Sequence, residues 1–78
     1  MALIRSFEPT AHERHGKQTS TRALYEVFQE DGETFLQLET VGSESRVERG
    51  ATSQTLRLDR RAMLQLLEIL AKALGKSV

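Results

Sequence analysis

Apolar and polar positions alternate in two adjoining runs, Arg22–Glu30 and Glu33–Val41. After Asp59 the spacing changes to the period of a helix. Both alternating runs are rich in Tyr, Val, Phe, Thr and Leu, residues that suit a pleated surface. Asp31-Gly32 separates them, and a two-residue Asp-Gly loop favours the type I′ turn, which needs positive φ at both positions. A hairpin is therefore expected, with Glu30 opposite Glu33, Phe28 opposite Phe35, Val27 opposite Leu36 and Tyr25 opposite Leu38. Alternation then sorts the faces. Tyr25, Val27, Leu36 and Leu38 form an uncharged core face. Leu24, Glu26, Phe28, Phe35, Gln37 and Glu39 form an outer face, on which the pair Phe28 and Phe35 is expected to be exposed.

Gly42-Ser43 ends the second run. Glu44–Arg49 is expected to be a polar strand with Val47 inward and Arg46 and Glu48 outward, and Gly50-Ala51 is the next turn. In Thr52–Leu58, Leu56 and Leu58 point inward, while Ser53, Thr55 and Arg57 point outward. These segments together predict an α+β fold, a four-stranded antiparallel meander followed by one C-terminal amphipathic helix (ββββα).

The helix is expected over Asp59–Leu74, with Asp59 as N-cap and Gly75 as its stop. Leu58 and Met63 are placed to form a hydrophobic staple across its start. Met63, Leu66, Leu67, Leu70 and Leu74 make one stripe, widened by Leu64 and Ala71 on one side and by Ala62, Ile69 and Ala73 on the other. Only Arg61, Gln65, Glu68 and Lys72 make a polar strip. At 3.6 residues per turn the apolar arc spans roughly 220°, about twice what one buried face requires. One sheet covers half of it, so a helix-mediated homodimer is expected, with Leu64, Leu67, Ile69, Leu70, Ala71 and Leu74 at the interface.

Length sharpens that expectation. A chain of 78 residues forms one domain, and its core is marginal. It has no cysteine, so disulfides and thiolate-bound zinc are excluded as staples, and pairing with a second copy is the common remedy left. The apolar start Met1–Ile4 is too short for a membrane span or a signal peptide, so a cytoplasmic location is the default expectation. Residues 1–21, broken at Glu8-Pro9-Thr10 and without apolar period from His12 onward, are expected to be a flexible basic arm. Within it Leu3, Arg5 and Phe7 alternate as a short strand would, and residues 22–78 form the folded domain.

Net charge is zero but unevenly distributed. Residues 23–45 carry six carboxylates and no Lys or Arg, whereas 46–61 carry five arginines against two carboxylates. A neutral total argues against strong non-specific attraction to nucleic acid, yet it leaves room for a basic patch.

Candidate chemistry is sparse. His12 and His15 flank Glu13, but there is no third ligand and no HExxH pattern, so no metal is expected. Ser43, Ser45, Ser53 and Thr55 have no histidine placed to activate them. The glycines form no phosphate loop, and neither an enzyme nor a cofactor is expected. What remains is the outer face: Phe28, Phe35, Gln37, Arg46 and Arg57, extended by Arg14, Lys17 and Arg22 of the arm. Flat aromatics for stacking and arginines for phosphates are the ingredients of single-strand recognition. The competing reading is a plain cross-strand pair among solvated arginines, covered by the arm through Phe7.

The last strand leading straight into the helix, Gln54-Thr55-Leu56-Arg57-Leu58-Asp59 and then Leu66-Leu67, resembles the transcriptional coactivator family of positive cofactor four. The resemblance covers Arg22–Leu74 and is one of pattern. It implies a dimer formed through the helices and single-stranded DNA bound on the sheets, acting in transcription or DNA metabolism. The family's lysine-rich strands and helix tryptophan are missing from this chain. The chain is also similar to small proteobacterial proteins that share the run seen here at Ser53–Asp59 before Leu66–Ile69, a likeness that implies no function. A second class of function is a protein-interaction adaptor or regulatory subunit that docks a basic partner on the acidic hairpin and exposed phenylalanines.

Overall fold

The structure, a computed structural model, describes residues 1–41 and 52–77. Its elements in chain order are β1 (Ala2–Ile4), β2 (Ala23–Glu30), β3 (Glu33–Val41), β4 (Thr52–Leu58) and α1 (Arg60–Leu74). The strands form one sheet in the order β1-β4-β3-β2, with α1 against β3 and β4.

The hairpin register agrees with the alternation. Glu30 pairs with Glu33, Phe28 with Phe35, Val27 with Leu36 and Tyr25 with Leu38. Asp31 and Gly32 have φ of 53° and 77°, the two left-handed positions of a type I′ turn. β3 and β4 are also antiparallel, with Leu36 opposite Leu58 and Leu38 opposite Leu56.

The sheet is mixed, which corrects the expectation of an all-antiparallel meander. β1 runs parallel to β4, with Ala2 opposite Leu56, Leu3 opposite Arg57 and Ile4 opposite Leu58. The cause is the free edge of β4, whose unpaired peptide groups accept the apolar Ala2-Leu3-Ile4 as an added strand. The strand expected at Glu44–Arg49 lies outside the described residues.

Past β1 the early chain stays attached. The Asp59 amide donates to the Ile4 carbonyl at 3.2 Å. Gln65, from the polar strip of the helix, bonds the Phe7 backbone twice. The Phe7 amide donates to Gln65 Oε1 at 2.7 Å, and Gln65 Nε2 donates to the Phe7 carbonyl at 2.6 Å. Of the arm expected over residues 1–21, the segment through Phe7 is thus held by the sheet and helix. Residues 8–20 are exposed and form no strand or helix.

The joint between β4 and α1 contains no loop. Asp59 is extended, and its Oδ1 accepts from the Ala62 amide at 2.9 Å, satisfying an orphan donor of the first turn. Its Oδ2 lies 3.6 Å from Arg5 Nη1. At the far end Gly75 has φ 67°, and the Gly75 and Lys76 amides return to Lys72 and Ala71 carbonyls, which completes a Schellman motif.

Registers across all four strands align the core face into two rows. One is Val27, Leu36, Leu58 and Ile4; the other is Tyr25, Leu38, Leu56 and Ala2. The helix covers only the middle of the first row. Leu58 is 1% exposed and Ala62 0%, but Val27 remains 60% exposed and Tyr25 76%. Replacing Leu58 with Ala is expected to destabilise the fold by about 2–5 kcal/mol, through lost transfer energy and the cavity left behind. The urea midpoint should fall accordingly; an unchanged midpoint would show that Leu58 is not the core centre.

Candidate nucleic-acid interface

The face of the sheet turned away from α1 carries the expected residues. Strand alternation places Glu26, Phe28 and Glu30 of β2, Phe35, Gln37 and Glu39 of β3, and Thr55 and Arg57 of β4 on it. One row across the strands reads Glu26, Gln37, Arg57, Leu3. Beside it stands the pair Phe28 and Phe35, with ring centroids 5.7 Å apart and planes tilted by 33°.

Arg57 organises this surface. Its guanidinium carbon lies 5.0 Å from the Phe28 ring centre and 5.8 Å from that of Phe35. Both distances are within reach of the attraction between a cation and a ring face. Gln37 holds it there, its Oε1 accepting from Arg57 Nε at 3.1 Å and from Nη2 at 2.7 Å. Gln37 is itself oriented by donating from Nε2 to Glu39 Oε1 at 2.8 Å. On the other side Arg57 Nη1 stands 3.7 Å from Glu30 Oε2. The guanidinium thus lies over two rings, pinned along one edge and loosely paired along the other.

This geometry corrects the expectation of an exposed aromatic pair. Phe35 is 9% exposed, and Phe28 is half-buried. Among the described residues, Arg57 from the same face lies over the rings.

The structure brings Phe28, Phe35, Gln37 and Arg57 together. Arg14 and Lys17 lie in the exposed segment after Phe7, with no bond to the outer face among the described residues. Arg22 immediately precedes β2, its carbonyl accepting from the Val41 amide at 3.2 Å. Arg46 lies outside the described residues. The part that Glu30 plays escaped sequence reasoning. Its approach to Arg57 depends on the register of β3 against β4, which the long connection after Val41 leaves undetermined in the sequence.

On the opposite side, Leu64, Leu67, Ile69, Leu70 and Leu74 are exposed, and Ala71 is half-buried. An open groove of about 430 Å³ runs between helix and sheet, with Leu36, Met63, Leu66 and Leu67 in its lining.

His12 and His15 are exposed, and among the described residues no three His, Cys, Asp or Glu side chains gather as a metal site. Among the described residues no helix is long and apolar enough to cross a membrane. Chemically, the outer cluster offers a planar cation on an aromatic base, suited to hold a flat or anionic group. Comparison with protein-family models, with curated proteins and with solved structures gave no match.

Arg57→Ala is expected to cost about 1–2 kcal/mol of stability, since it removes the ring contact and two hydrogen bonds to a charged donor. Arg57→Lys should recover only part of this, because an ammonium lacks the planar fork. Equal urea midpoints for the two variants would show that the flat geometry contributes nothing.

Proposed function

We propose that two copies of this chain pair through the open surface of helix and sheet, and that the pair binds single-stranded nucleic acid on the outer face without catalysis. The pairing rests on what one copy leaves uncovered. Tyr25, Val27, Leu56, Leu64, Leu67, Leu70 and Leu74 are all more than two-fifths exposed and lie on the helix side. An apolar surface of that extent marks an interaction site. A partner helix laid along the groove would cover these residues and leave the outer face free.

The observation that carries the ligand reading is the guanidinium of Arg57 held over the paired rings of Phe28 and Phe35. Bases stack on aromatic faces and on guanidinium planes alike, and the charge suits a neighbouring phosphate. Gln37 supplies a polar contact beside it, and the basic side chains of Arg14, Lys17 and Arg22 extend the attraction along a strand. Glu26, Glu30 and Glu39 oppose it, so binding is modest and strongly dependent on salt. The resemblance in pattern to positive cofactor four supports this reading, under which the protein would act in transcription or DNA metabolism in the cytoplasm.

A second reading has its own observation. Among the described residues β2 is an edge strand of the sheet, and Glu26 and Glu30 stand on it exposed. An edge of that kind accepts an extended basic peptide as an added strand, the adaptor function.

Light scattering should give twice the 8.8 kDa chain mass. A monomer mass at all concentrations would overturn the pairing. A labelled single-stranded oligonucleotide should bind at low ionic strength, with affinity falling as salt rises. No binding at low salt would overturn the ligand reading. Movement of the Glu26–Glu39 amide signals with a basic peptide, and not with the oligonucleotide, would favour the adaptor.

A further inference from the structure

We propose that Glu30 is a built-in substitute for the ligand's phosphate, occupying the free edge of Arg57 until a nucleic-acid strand displaces it. The inference rests on the single-strand reading above and names the residue that regulates that site.

The two edges of the Arg57 guanidinium are held very differently. Along the first, Gln37 Oε1 takes two hydrogen bonds, at 3.1 and 2.7 Å. Along the second, Glu30 Oε2 stands 3.7 Å from Nη1. That exceeds the 2.7–2.9 Å typical of a charge-assisted bond, so the pair is ionic contact without a close hydrogen bond. The Glu30 side chain is 60% exposed, while that of Arg57 is 28% exposed. Gln37 therefore fixes the guanidinium over Phe28, and Glu30 only neutralises it from the water side. An exposed pair of this kind contributes little, and a competing anion can replace it without moving the arginine.

The place that Glu30 takes is also where a phosphate would bind. Guanidinium N–H groups recognise carboxylate and phosphate oxygens with the same geometry. A guanidinium has five N–H donors, and Gln37 engages only the Nε and Nη2 groups, leaving those of Nη1 on the side of the carboxylate, 3.7 Å away. Glu30 is the last residue of β2, beside the Asp31-Gly32 turn. Its backbone is fixed by the register with Glu33, but its side chain reaches over open solvent. Glu26 and Glu39 share the face, and of these Glu39 is already engaged with Gln37. Displacement of Glu30 is thus a local exchange at Nη1, separate from the general repulsion of the acidic hairpin.

The test compares Glu30→Gln with Glu26→Gln, which makes the same charge change on the same strand and face. Binding of a labelled oligothymidylate is read by fluorescence anisotropy at low ionic strength, with thermal melts confirming that both variants fold. Glu30→Gln should bind roughly two- to fivefold more tightly than the unaltered chain, the range set by an exposed ion pair, and Glu26→Gln should gain less. The Arg57 Nε–H signal should stay near its ligand-free position in Glu30→Gln, since Gln37 still holds it. Equal gains in the two variants would overturn the proposal in favour of general charge repulsion. Binding by the unaltered chain with no gain in Glu30→Gln would overturn it and leave the single-strand reading standing. No binding by any of the three would overturn both.

Discussion

Leu58 connects three parts of the molecule at one point. It is the last residue of β4, opposite Leu36 on one side and Ile4 on the other, and the next residue caps the helix. It is also the largest side chain fully removed from water among the described residues. Because no loop intervenes, the direction of β4 and the start of α1 are set together. Ala62, fully buried one turn into the helix, has no side-chain bulk beyond a methyl group and lets the backbone come close there. Asp59 ties the joint in two directions, to the first helical turn and to Arg5. The sheet edge, the helix and the chain's early segment all meet at this place.

That arrangement divides the molecule into two surfaces of different character. On the helix side burial is concentrated near the joint, and it fades toward β2 and toward the helix end. Hydrophobic stabilisation follows area removed from water. The half-covered leucines there would gain from further cover, whereas the outer face would not. The outer face instead satisfies itself through a chain of polar contacts, Glu39 to Gln37 to Arg57, laid over the aromatic pair. Any ligand on that side meets a surface already organised around one arginine.

Much of this could be read from residue order. The Asp31-Gly32 turn fixes the hairpin register, and with it the sharing of one face by Phe28, Phe35 and Gln37. Asp59 and Gly75 mark the helix ends, and the width of the apolar arc foretells that one sheet does not cover it. Three features lay beyond such reading. Leu3, Arg5 and Phe7 alternate as a short strand would, but three residues carry almost no periodic signal, so neither the bounds of β1 nor its parallel pairing with β4 could be read. Gln65 looked like one member of a solvated strip, and nothing local shows that it binds a backbone 58 positions away. The burial of Phe35 depends on where Arg57 falls across the sheet. Alternation assigns a residue to a face but does not say what will lie over it.

The contact between Phe7 and Gln65 also sets an order of assembly. The hairpin closes over two residues and can form early, because short loops lose little entropy on closing. β1 has no partner until β4 exists, and the Phe7 clamp has none until the helix has formed. Contacts that span most of the chain are slow to make. Residues 2–7 therefore have no place to dock until β4 and the helix are formed, and without them β4 would be an open edge. A partly loosened chain would then offer Arg57 and Leu58 on an open edge, which residues 2–4 cover in the folded chain.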